Sequence, residues 1–246
     1  MTAPGRRLEG MSSPRPVLTT LLRSAARLHW RLLPARCLVC GEPGQPGRDL
    51  CAACEAQLPD AGPACARCAL PLAAADARCE CPRTALDAVQ SAFLYRWPVD
   101  DLLRRLKFHQ DLAAGRLLAD LMIQRLAALP GPAGSVLVPI PLHPRRLRQR
   151  GHDQAAELAR PLGRALGLPC RRVLRRRIAT APQSELDAAA RRRNLRNAFE
   201  CVAPAPEHVV LVDDVMTTGA TLRAAATALR RAGARHIEAR VCARVP

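Results

Sequence analysis

Aromatic side chains are scarce in this chain of 246 residues, where Phe, Tyr and Trp together make up 2% of the total. That scarcity leaves few stacking platforms of the kind that bind a single strand of nucleic acid base by base. Lysine is rarer still: of 38 basic residues, only Lys107 is a lysine. A nucleotide hydrolase of the phosphate-loop type needs a Gly-x4-Gly-Lys-Ser/Thr segment, and the one Lys stands in "RLKFH", so that class is excluded. No apolar run approaches the roughly 18 residues that span a bilayer. The N-terminus lacks the charged start, apolar centre and small-residue cleavage site of a secretory leader, which makes the cytoplasm the expected compartment.

Arginine, by contrast, is everywhere. The formal net charge of +17 points to a polyanionic partner, either nucleic acid or a phosphate-rich substrate. The chain is equally saturated with Ala, Leu and Pro, so a general compositional bias accounts for the charge just as well. Within that bias, a lone Lys107 marks either a place that needs a compact ammonium or a chance survivor on a helix surface.

Three segments differ in texture. Residues 1–36 read as a basic tail, and "VLTTLLRSAARLHWRLL" within it has the spacing of an amphipathic helix. Such a helix suits packing on a neighbouring domain, a partner, or contact with a membrane surface. Residues 37–82 are dense in Cys, Pro and Gly. From 83 to 246, strand patterns ("ALDAVQSAFLYRW", "SVLVPIP", "CRRVLRR", "EHVVLVD", "ARHIEARVCA") alternate with helical ones over 99–129, 153–167, 184–196 and 218–232. Asp100 or Asp101 stands near the start of the first helix, and Gly233 ends the last. This alternation predicts an α/β domain with a mostly parallel sheet.

The cysteines fall in pairs: Cys37 with Cys40, Cys51 with Cys54, Cys65 with Cys68, and Cys79 with Cys81. Paired thiols one or two residues apart curl around one ion, and two pairs complete a tetrahedral zinc site. The repetition suggests two successive sites of four, although equal gaps leave open which pairs share an ion. Disulfides are disfavoured in the expected compartment. An iron–sulfur cluster would use four of the thiols, while structural zinc accounts for the regular pairs best. Cys170, Cys201 and Cys242 lie outside the pattern and are expected as buried small hydrophobes.

The segment "VVLVDDVMTTGAT", residues 209–221, carries the sharpest signal. A buried strand ends on Asp213 and Asp214, at the sheet edge where ligands of open α/β folds bind. The turn that follows offers hydroxyls, backbone N–H groups and a helix N-terminus to a phosphate. Carboxylates beside a phosphate turn suit a sugar phosphate. A helix cap alone would explain one of the aspartates but not the set.

This stretch resembles the phosphoribosyl-pyrophosphate (PRPP) motif of type I phosphoribosyltransferases. With "PIPLHPRRLRQRGHDQA", "RIATAPQSELDAAARRRNLRNAF" and the cysteine module, residues 37–246 resemble ComF/GntX-like proteins, associated with DNA uptake in natural competence. His152 departs from that pattern, which more often has an aromatic, and Asp153 often corresponds to Asn. The resemblance implies a Rossmann-like core with a PRPP-type site behind a double zinc ribbon. It assigns Asp213 and Asp214 to ribose hydroxyls, and Thr217, Thr218, Gly219, Ala220 and Thr221 to the 5′-phosphate. Arg146 and Arg150 would face the diphosphate, and Lys107 would touch phosphate. Arg177, Thr180, Gln183, Arg191 and Asn194 would belong to a mobile flap. Mg²⁺ would accompany PRPP, with pyrophosphate leaving as an acceptor nitrogen attacks. No residue identifies the acceptor, so three readings stay open: a transferase, a protein that holds single-stranded DNA, and a scaffold on which the ribbon recruits a helicase or another DNA-processing protein.

Overall fold

The computed structural model describes residues 35–128, 132, 134–178 and 197–246. The expected tail helix and the helix expected at 184–196 lie outside them. In chain order the elements are α1 (Ala52–Ala56), β1 (Ala88–Leu94), α2 (Val99–His109), α3 (Leu112–Leu126), β2 (Val136–Pro139) and α4 (Pro144–Arg150). They continue with α5 (Gln154–Leu166), β3 (Leu174–Arg176), β4 (Phe199–Cys201), β5 (His208–Met216), α6 (Ala220–Arg231) and β6 (His236–Arg244).

Four strands form a wholly parallel sheet in the order β1-β6-β5-β2. Val209 to Val212 are all buried, the continuous apolar run that a strand covered on both faces requires. Alternation divides that run. Val210 and Val212 pack with Leu102, Leu106, Leu118, Met122 and Leu158 beneath α2, α3 and α5. Val209 and Leu211 pack with Leu222, Ala225 and Leu229 of α6. β3 and β4 form a separate antiparallel pair.

The single helix expected over 99–129 is two helices. Gln110 takes the left-handed conformation (φ 54°), and the Asp111 carboxylate accepts a hydrogen bond from Ala114 N at 3.0 Å, starting α3 afresh. The two helices then press together so closely that a Cβ on Gly115 would stand 2.8 Å from Leu106 Cδ1. The break brings the end of α2, with Lys107 and Phe108, to the carboxyl edge of the sheet. Asp100 and Asp101 occupy the first turn of α2, where Pro98 is the capping residue and offers no side-chain bond.

The cysteine module leans on the same core. Leu94 N donates to Pro59 O at 2.9 Å and Val89 N to Ala66 O at 2.8 Å, so the module covers the open edge of β1. Arg125 ties it further through Asp60 at 2.7 Å. Of the unpaired cysteines, only Cys242 is fully buried as expected; Cys170 is exposed and Cys201 partly so. Cys170 lies on a short bridge beside the edge strand β2. Among the described residues, no helix is long and apolar enough to cross a membrane.

Candidate functional site

β5 runs through both acids to Met216, so Asp213 and Asp214 are neighbours on a pleated strand and point to opposite sides of it. Asp214 meets Lys107 of α2, with Oδ2 and Nζ 3.1 Å apart. Asp214 N donates to Asp213 Oδ1 at 2.9 Å, and Val215 N donates to Asp214 Oδ1 at 2.6 Å. Burial, and then the charge of Asp214, push the Asp213 carboxyl up to about 8, against relief from the Asp214 N–H, Lys107 and Arg176. Burial and Asp214 likewise hold the Cys242 thiol, beside Asp214 on the neighbouring strand β6, in its neutral form.

After β5 the chain turns through Thr217 and Thr218, both exposed, into α6. Gly219 makes the turn possible: its φ is 74°, and an added Cβ would lie 2.5 Å from Met216 Cε. It also brings no side chain to cap α6. The Thr218 hydroxyl accepts from Ala220 N at 3.4 Å, and Arg223 donates to Thr218 O at 2.7 Å. Thr221 is partly buried in the first turn of α6. Hydroxyls, amides and a helix N-terminus therefore converge a few residues from the acids.

On the other side of Lys107 lies a cleft of about 310 Å³ lined by Lys107, Phe108, Gln110, Arg146, Gln149 and Arg150. Its two walls, α2 and α4, are stapled by His152, whose Nε2 lies 2.8 Å from Leu106 O and whose Nδ1 lies 2.9 Å from Arg150 O. An imidazole at 152 can donate to one of these carbonyls, which a phenyl ring, with no polar atom, cannot do. Asp153 caps α5 by accepting from Ala156 N at 3.3 Å. Burial lowers the Arg150 pKa, opposed by the charge of Asp214, so the cleft and the carboxylate site share one field.

The eight paired cysteines converge in two groups, Cys37, Cys40, Cys51, Cys54 and Cys65, Cys68, Cys79, Cys81, each with all sulfurs within 4.8 Å of one another. This resolves the pairing that spacing left open. Sγ–Sγ distances of 3.7 Å (Cys40–Cys51), 3.7 Å (Cys65–Cys81) and 3.6 Å (Cys68–Cys79) match the roughly 3.8 Å edge of a tetrahedron with zinc–sulfur bonds of about 2.3 Å. Burial alone would raise the Cys37 and Cys65 thiols. The backbone N–H groups of the knuckles and the neighbouring thiols outweigh it and lower them to about 6 and about 7, while burial and those same thiols push Cys54 and Cys68 up. The donor set fits two zinc ions.

The structure thus brings Asp213, Asp214, Lys107, Arg146 and Arg150 to one edge, with the Thr217–Thr221 turn beside them. Arg177 is exposed and pairs with Glu200 at 3.4 Å; Thr180, Gln183, Arg191 and Asn194 lie outside the described residues. Sequence reasoning missed Arg176, whose charge acts on Asp213, and the buried Arg244, which donates to the Met216 and Thr217 carbonyls at the start of the turn.

Comparison with known proteins agrees with this architecture. Residues 28–83 match the double zinc ribbon domain, and residues 155–246 match the phosphoribosyl transferase domain. The DNA utilization protein YhgH of Salmonella typhimurium is 32% identical over 216 residues, which cover 84% of this chain and 95% of that protein. Its namesake in Salmonella typhi is 40% identical over 152 residues, covering 58% of this chain and 66% of the relative. Competence protein F of Haemophilus influenzae is 35% identical over 155 residues, covering 58% of this chain and 67% of the relative.

Proposed function

Since the chain belongs to the family of DNA utilization protein YhgH and competence protein F, we propose that its sheet-edge site binds PRPP or a closely related sugar phosphate in the service of DNA uptake. The observation that carries this reading is the Lys107–Asp214 pair at 3.1 Å, set beside the Thr217–Thr221 turn. Asp213 and Asp214 take ribose hydroxyls, the turn takes the 5′-phosphate, and Arg146, Arg150 and Lys107 take the diphosphate. Two carboxylates at the sheet edge also suit a Mg²⁺ ion arriving with the diphosphate, which would supply charge neutralisation. The reaction open to such a site is pentosyl transfer: an acceptor nitrogen bonds to the anomeric carbon as pyrophosphate departs with its electron pair. The protein's part would be positioning and neutralisation rather than covalent chemistry.

Calorimetric titration with PRPP and Mg²⁺ tests this. Asp213 holds its proton up to about 8, and a complex that uses it as a carboxylate must expel that proton. Affinity is therefore expected to rise with pH, by up to about tenfold per unit below that value. At neutral pH, the apparent enthalpy should differ between buffers of different ionisation enthalpy. Failure to bind PRPP at any pH would reduce the motif to an inherited scaffold.

A second reading has its own observation. Phe108 is 65% exposed at the cleft mouth, and the Arg150 guanidinium lies 5.4 Å from its ring centroid. In a chain so poor in aromatics, this pairing suits a base of single-stranded DNA stacked on Phe108 with its phosphate on the arginines. Phe108→Ala should then weaken oligonucleotide binding by about 5- to 100-fold without changing its salt dependence. Neutralising Arg145, Arg146, Arg148 and Arg150 should flatten that dependence. Unchanged oligonucleotide affinity in the quadruple variant would end this reading.

A further inference from the structure

Arg244, the last residue of β6, is 6% exposed and connects the second cysteine knuckle to the phosphate turn. Its Nε donates to Cys68 O at 2.9 Å. Its Nη1 donates to Met216 O at 3.2 Å and to Thr217 O at 2.5 Å, and also to Val245 O. One guanidinium therefore spans a metal-ligand residue on one side and the entry to the phosphate turn on the other.

The consequence for the turn follows from peptide geometry. In a planar trans peptide, the carbonyl and the next residue's N–H point in opposite directions. With the carbonyls of Met216 and Thr217 drawn inward to Arg244, the N–H groups of Thr217 and Thr218 face away from it. A pair of such amides is the start of an anion-binding concavity. Arg244 thus fixes the orientation of donors it does not itself supply.

The other end of the bridge depends on the knuckle. Cys68 O is presented by a tight turn in which Ala69 N donates to Cys65 O at 2.7 Å, with Ala69 in the left-handed conformation (φ 54°). That turn is the one that points the Cys65 and Cys68 sulfurs at Cys79 and Cys81. Releasing it would displace the Cys68 carbonyl and leave a buried guanidinium N–H seeking another acceptor, a costly state. The first knuckle is held in a comparable way, through Arg105 on Leu38 O, but that arginine acts on α2 and not on the turn.

We propose that Arg244 is a positioning residue that couples metal occupancy of the second four-cysteine site to the shape, and hence the affinity, of the phosphate turn. The affinity part rests on the sugar-phosphate reading above; the coupling of metal to turn does not. By linkage, a ligand that orders the turn also tightens the metal in that site.

The test is hydrogen exchange on the full zinc-loaded chain, followed at the Ala220, Arg223 and Val245 amides, whose acceptors are Thr218 Oγ1, Gly219 O and Met216 O. Cys79→Ser/Cys81→Ser removes two ligands while leaving Cys68 and Arg244 in place. Arg244→Lys keeps the charge but not the fork, so the fold should survive. Each change is expected to speed exchange at these amides by about tenfold, the combination no further, and amides around Lys107 not at all. PRPP affinity should fall in parallel. Unchanged turn exchange after loss of the second metal, or effects that add in the combined variant, would overturn the coupling. Because the exchange readout uses no ligand, a chain that fails to bind PRPP leaves this result legible.

Discussion

Asp213→Asn is expected to lose sugar-phosphate binding while gaining thermal stability, and Asp214→Asn to lose both. The two carboxylates are adjacent, yet their surroundings differ. Asp214 has a cation at 3.1 Å, so removing its charge strands Lys107, which is only 19% exposed. Leaving a largely buried donor without its partner costs about 1–3 kcal/mol, which at about 2–4 °C per kcal/mol is readily seen in a melting curve. Asp213 is crowded by burial and by its neighbour, and its folded pKa is raised from 3.8 to about 8. A raised carboxyl binds its proton more tightly folded than unfolded. Stability is therefore full below the ordinary value and falls as pH rises toward about 8. Asparagine removes that loss, so the advantage of Asp213→Asn over the parent should be near zero at pH 4 and largest near pH 8. Binding responds the same way in both variants: each removes a charge-assisted hydrogen bond to ribose, about 10- to 150-fold in affinity. Calorimetry and melting at two pH values separate a functional carboxylate held at a structural cost from a merely structural one. If Asp213→Asn melts lower than the parent at pH 8, the electrostatic description of the site is wrong.

The residues that sequence reading located and those it missed differ for a physical reason. Asp213, Asp214 and the threonine turn are contiguous, and the strand before them is apolar enough to place them at a sheet edge unaided. The cysteines are legible because ligand spacing is a local constraint, whereas their grouping required three dimensions. Arg176 was hidden by its neighbours in "RRVLRRR". Only the alternation of β3 distinguishes it from Arg175 and Arg177, which turn outward to Glu200. Arg244 was hidden because its partners are backbone carbonyls from distant segments, which leave no pattern in the side chains. The break at Gln110 was legible in principle, since Asp111 is a strong helix cap, but apolar periodicity on both sides of it masked the signal. The break also brings Lys107 to the site: a continuous helix would carry the chain straight past the sheet edge.

Metal removal should affect far more than the ribbon. The ordinary expectation for a small zinc module is local unfolding, because such modules have too little core to stand alone. Here Cys37, Leu50 and Cys54 are buried in the same apolar cluster as Phe93, Leu102, Leu106 and Leu118. The first zinc site is thus a wall of the main core. Purified protein is expected to carry two zinc ions per chain by elemental analysis. Cys37→Ser/Cys40→Ser should leave one and lower the melting temperature by more than about 10 °C. Structural zinc contributes about 10–16 kcal/mol in isolated peptides. Half of that, at about 2–4 °C per kcal/mol, amounts to about 10–32 °C. Cys79→Ser/Cys81→Ser should also leave one zinc but lower melting less, because none of that site's four cysteines belongs to an apolar cluster and its knuckle contributes only Ala69 to one. The ordering of the two variants tests the architecture independently of any ligand. Equal losses would place the two sites alike with respect to the core. Iron in place of zinc, or a folded sample without metal, would overturn the assignment of the cysteines altogether.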